Sequence, residues 1–151
     1  MFRFFFKYII RIRNFIIFLW EQDGTPAKRA RGVALGIFCG CFPLFGFQTL
    51  LSILLAKIFK GNYVLAATFT WISNPLTYLP LYWFNYKIGS SLIGNNYLFT
   101  RIQENNFPDF TIVGLEVLKA FILGSFITGI ILGIILGFLT YALLLLIKDR
   151  K

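Results

Sequence analysis

The sequence predicts an all-α, polytopic integral membrane protein with proline-broken, re-entrant helices and a C-terminal transmembrane helix. Three observations lead there. The chain of 151 residues is 58% hydrophobic and 14% charged, with a mean hydropathy of +0.74, whereas soluble domains carry about 25% charged residues. Ala120 to Ile147 contains no charge, which is about 42 Å of helix against a ~30 Å hydrocarbon core. Pro43 and Pro75 each interrupt an apolar run. An unpaired backbone group in hydrocarbon costs several kcal/mol, so such breaks survive only where protein or a water-filled cavity surrounds them. Function is therefore expected near Cys41 to Thr49 and Thr70 to Thr77.

Residues 1–22 mix Phe4, Tyr8, Phe15, Phe18 and Leu19 with Lys7, Arg11 and Arg13. The cations interrupt every candidate signal-peptide core, and no small-residue cleavage site follows. This segment is read as a retained interfacial helix with Trp20 as its anchor. One membrane domain then occupies 24–147.

Thr25 is the expected N-cap of the next helix, with Pro26 at the first helical position, where its missing N–H costs nothing. That helix has only about ten apolar residues before Pro43, against the ~20 of a span. With the piece from Leu44 to Phe59 it forms a hairpin over about 26–60, for which Gly61 supplies a left-handed stop. A second segment at about 62–94 is broken at Pro75. Asn95 to 111 is a polar loop broken at Pro108, and the transmembrane helix runs over about 113–147. On that helix Ser125, Gly129, Gly133 and Gly137 recur every four residues, a face that lets another backbone approach closely, within the chain or between protomers.

Charge chooses the topology. Of the 15 cations behind the net +9, Arg3, Lys7, Arg11, Arg13, Lys28, Arg29 and Arg31 precede the first long apolar run, while Lys148, Arg150 and Lys151 follow the last. A re-entrant hairpin turning at Pro43 and one span broken at Pro75 place every basic cluster on the cytoplasmic side, with both termini. A competing pattern is an internal repeat that aligns Ala34, Cys41, Pro43 and Leu44 with Ala66, Ser73, Pro75 and Leu76. It would suggest two hairpins inserted from opposite faces. The cations flank apolar runs, so membrane lipids with anionic headgroups are the expected partners and nucleic acid is not.

The chemistry available is that of neutral dipoles. There is no histidine, no carboxylate between Asp23 and Glu104, and two cysteines, Cys39 and Cys41, that point about 200° apart on a helix. No enzyme, cofactor or protein-built metal site is expected. Gln48, Thr49, Thr70, Ser73 and Asn74 are the candidate ligand groups beside the breaks at Pro43, Gly46 and Pro75. Helix starts after the prolines favour an anion, although Asn74 before Pro75 equally suits an N-cap. Thr25, Lys28, Arg29 and Arg31 form a second candidate, for an anionic headgroup, because cations in a first turn oppose the helix dipole.

The Phe-Pro-Leu-Phe-Gly-Phe-Gln-Thr stretch at 42–49 and Ile-Ser-Asn-Pro-Leu-Thr at 72–77, with Thr25, Pro26, Ala30, Gly32, Ala34, Gly36, Phe38, Asn62, Trp71, Pro80 and Tyr82, resemble the bacterial membrane family known as domain of unknown function 2062. The likeness covers about 24–94 and leaves out the N-terminal segment. It implies a small bacterial inner-membrane protein and no catalytic residue. Three functions are weighed: binding or translocating an anionic solute or lipid headgroup at the breaks; a non-transporting accessory or scaffold subunit of a larger membrane complex, or of a homo-oligomer, associating through Ser125 to Gly137; and a membrane-surface lipid sensor working through residues 1–31.

Overall fold

The computed structural model describes residues 10, 11, 13, 14, 17, 18, 21–44, 46–94 and 110–148, with the backbone alone for 110–113 and 148. The first nine residues, Trp20, nearly all of the expected polar loop and the last three residues lie outside it. Among the described residues the chain is helical without strands: α1 (Pro26–Gly40), α2 (Phe47–Ile58), α3 (Tyr63–Phe69) with a 3₁₀ turn (Thr70–Ile72), α4 (Tyr78–Ile93) and α5 (Phe110–Lys148).

Local chemistry sets most boundaries. Thr25 caps α1 by accepting from the Lys28 N–H at 3.3 Å, with Pro26 at the first position. Proline lacks an N–H, so the helix loses nothing there. α2 ends in a Schellman turn, in which Gly61 N donates to Ala56 O at 2.7 Å. The left-handed residue of this turn is Lys60, at φ 53°, and not the expected Gly61. Gly61 serves packing instead, since a Cβ there would meet Gly32 N of α1 at 3.1 Å. α4 ends at Gly94, at φ 74°, a conformation glycine adopts without steric penalty.

The directions of the helices follow from which residues touch. A Cβ on Gly32, Gly36 or Gly40 of α1 would collide with Asn62, Ala66 or Thr70, respectively, so α1 runs parallel to α3 and its 3₁₀ extension. α2 returns between them, its start beside the end of α3 and its end beside the start of α1. The two proline segments therefore share one direction, and the opposed hairpins suggested by the repeat are not formed. After the first break the chain turns back; after the second it continues.

α5 is the spine. Gly129, Gly133 and Gly137 lie against Phe38, Ala34 and Ala30 of α1, while Gly124 and Ala120 lie against Asn85 and Gly89 of α4. Both partners run antiparallel to α5 and follow one another along it. The Ser125 to Gly137 face is thus filled from within the chain. The apolar centre is Val33, Ile37 and Leu65, joined by Phe18, Phe69, Ile72, Leu132 and Leu136.

The rest of α5 is bare. Gly114–Ile147 is the one stretch of described helix long and apolar enough to cross a membrane, and only 17% of its most apolar window is buried. Phe126, Ile130, Ile134 and Phe138 are exposed along it. The hydrophobic core of a soluble protein would hide these side chains.

Candidate functional site at the helix breaks

Both breaks sit at one level of the bundle, because a Cβ on Gly40 at the end of α1 would meet Ile72 and Thr70, just before the second break. α1 stops at Gly40 with Cys41 as its C-cap, ahead of Pro43, whose neighbour must leave the helical region. α2 resumes after Gly46, which takes φ 82° and offers no side-chain cap.

The second break is longer than the sequence suggests. Asn74 does not start a helix; its Oδ1 accepts from Leu76 N at 2.9 Å and Thr77 N at 3.2 Å. Thr77 accepts in return from Asn74 N at 2.9 Å and donates to Ile72 O at 2.6 Å. These bonds satisfy the backbone through the Pro75 turn, so α4 begins only at Tyr78. Asn74 therefore closes the turn, and Thr77 takes the N-cap position of α4 without a side-chain cap bond.

The other four candidates meet as two pairs that clasp α2 to the end of α3. Thr49 Oγ1 lies 3.2 Å from Thr70 Oγ1. Thr70 spends its one hydroxyl proton on Ala67 O at 2.6 Å, so Thr49 is the donor to Thr70. Ser73 lies 3.2 Å from both Gln48 Oε1 and Thr70 O, and the Tyr82 phenol stands beside Ser73. Gln48, Thr70 and Ser73 are buried. Buried polar groups are normally paired in this way.

Sequence reasoning passed over a third partner, Asn85. Its side chain is fully buried, and Nδ2 donates to Cys41 O at 2.9 Å and to Ser125 Oγ at 3.1 Å. One amide therefore fastens the C-terminal end of α1 to α4 and α5. Its signal was an asparagine in the middle of an apolar helix, a position where a polar side chain needs a partner. Ser52 and Thr128, also buried, carry the same signal.

The basic candidates gather at the opposite end of α1. Asn62 caps α3 by accepting from Leu65 N at 2.9 Å, while its Nδ2 donates to Asp23 O at 3.0 Å and its backbone N to Lys28 O at 2.9 Å. This knot brings Thr25, Lys28, Arg29 and Arg31 to the same end as Lys57 and Lys60. No acidic residue occupies the first turn of α1. A groove of about 510 Å³ ahead of the second break is lined by Ile37, Thr68, Phe69, Trp71, Ile72 and Leu136 and is largely apolar. Among the described residues, no group of three or more His, Cys, Asp or Glu could hold a metal ion.

A family model described as "Uncharacterized protein conserved in bacteria (DUF2062)" matches residues 10–151. The chain belongs to this family. The DUF2062 match begins inside the N-terminal segment that the motif likeness left out, and it runs through α5 to the last residue. No curated protein and no solved structure matches the chain.

Proposed function

We propose that this DUF2062 protein is a polytopic protein of the bacterial inner membrane that binds, and translocates, an anionic solute or lipid headgroup at its helix breaks, without acting as an enzyme. In this reading α1 and α2 re-enter from the cytoplasmic side, α3 and α4 form one span broken at Pro75, and α5 returns to a cytoplasmic C terminus. The gathering of Lys28, Arg29, Arg31, Lys57 and Lys60 at one end of the bundle supports that orientation.

One observation carries the ligand. α2 begins without a side-chain cap, beside Gln48 whose Oε1 is held by Ser73. The Gln48 backbone N–H is taken by Leu44 O at 2.9 Å, but its Nε2 hydrogens are donors beside the start of α2, and donors at a helix N-terminus suit a phosphate or carboxylate. Asn74 no longer contributes, because its Oδ1 is engaged by Leu76 N and Thr77 N within the Pro75 turn. The scaffold reading loses its surface, since α1 covers the glycine face of α5.

The test is reconstitution into vesicles with phosphorylated lipid or small-anion probes. Gln48→Leu and Ser73→Ala should weaken binding with folding intact. Normal binding in both variants, or no binding and no flux of any such probe by the wild type, overturns the reading.

A further inference from the structure

We propose that a small alkali cation, Na⁺, binds where the C-terminal end of α1 meets α4 and α5, held by Asn85 Oδ1, the Thr128 hydroxyl and main-chain oxygens at the end of α1. This inference goes beyond the anion reading and does not depend on it.

The first support is the state of Asn85. Its Nδ2 is committed to Cys41 O and Ser125 Oγ, and the reversed amide would set Oδ1 against a carbonyl, so the orientation is determined by chemistry. Oδ1 is then buried without a donor. Both groups that Asn85 touches stay near Oδ1, because the amide oxygen and nitrogen share one carbon.

Thr128 adds a second oxygen from α5, one turn beyond Ser125. Thr68 and Thr140 donate to the carbonyl four residues back, at 2.9 Å and 2.7 Å. Thr128 does not, and its Oγ1 is buried without a partner although the residue is 2% exposed. Two unsatisfied oxygens this deep are unusual in a native protein.

The third support is the field. Cys39, Gly40 and Cys41 end α1 inside the protein, with no basic residue in the last turn. The end of a helix carries partial negative charge. In membrane proteins the C-terminal ends of interrupted helices, with their unwound carbonyls, coordinate Na⁺. The ligands here are neutral oxygens and helix-end carbonyls, and the comparison of NaCl with KCl reads the size preference.

The experiment is thermal unfolding of the full chain in detergent in NaCl, KCl and choline chloride at equal ionic strength. The expected result is a saturable rise in Tm with Na⁺ that is absent in choline. Thr128→Val, which keeps the side-chain shape, and Asn85→Leu should abolish the rise, while Thr128→Ser keeps it. Should Asn85→Leu fail to fold, Thr128→Val decides. Equal Tm in all three chlorides, the outcome for a site holding only water, overturns the proposal, as does a Na⁺ response that survives Thr128→Val. Gln48→Leu should leave the response unchanged, which separates this site from the anion reading.

Discussion

Replacing Gly124 by Ala should separate α4 from α5 and destabilise the protein, whereas the same change at Gly114 on the same helix should not. The two sites differ only in what a methyl group would meet. At Gly114 there is nothing within 4 Å, and at Gly124 the new Cβ would overlap the Asn85 carbonyl and lie 3.0 Å from Gly89 N. Gly89 faces back in the same way, against the Ala120 carbonyl. The two glycines thus form a reciprocal crossing one turn deep, close enough for Cα–H···O contacts. Accommodating one methyl requires the helices to move apart, at about 1–3 kcal/mol for overpacking. The Asn85 to Ser125 bond crosses the same gap, and stretching it adds about 0.5–1.5 kcal/mol. Against this, replacing glycine within a helix gains up to ~1 kcal/mol, so a net loss of roughly 1–3 kcal/mol is expected at Gly124. At Gly114 the gain stands alone. Once the helices have parted, Gly89→Ala should cost less in the Gly124→Ala background than by itself. Reversible unfolding in mixed micelles, followed by tryptophan fluorescence, measures all four variants. Equal stability of the Gly114 and Gly124 variants would refute the close crossing.

Three other outcomes are expected. Asn62→Ala removes the α3 cap and the bond to Asp23 O, so stability should fall by about 1–3 kcal/mol; an unchanged unfolding midpoint would show that the knot at the basic end is not formed. Gly46→Ala meets no atom within 4 Å but must hold φ 82°, ψ −42°, so backbone strain alone should destabilise by about 1–3 kcal/mol, and a stabilised variant would contradict that turn. A double-mutant cycle on Thr49→Val and Thr70→Val should give a coupling near 0.6 kcal/mol, the average for hydrogen bonds between membrane helices; zero coupling would mean that the clasp is absent in solution.

How much of this was legible beforehand depended on the range of each interaction. Pro26 after Thr25 and the uncharged run of α5 could be read directly, because each acts through backbone within one turn of itself. The Pro75 break was located, but the restart was placed three residues early, since the Asn74 and Thr77 bonds form a turn that propensity alone does not distinguish from a cap. Gly61 was assigned the wrong role for a similar reason. Glycine suits both a left-handed turn and a close approach, and only the neighbouring Gly32 backbone shows which one is in use.

By itself the sequence determined the helical class, the apolar exterior and the positions of both breaks, all of which follow from composition and local spacing. The tertiary structure decided the pairing. It placed α1 parallel to α3, laid α1 and α4 in succession along α5, closed the glycine face from within the chain, and brought Asn85 to the end of α1. Those outcomes depend on which carbonyl each glycine lets another helix approach, and on bonds such as Asn85 to Cys41 that join residues far apart in sequence. No periodicity in one segment records its distant partner.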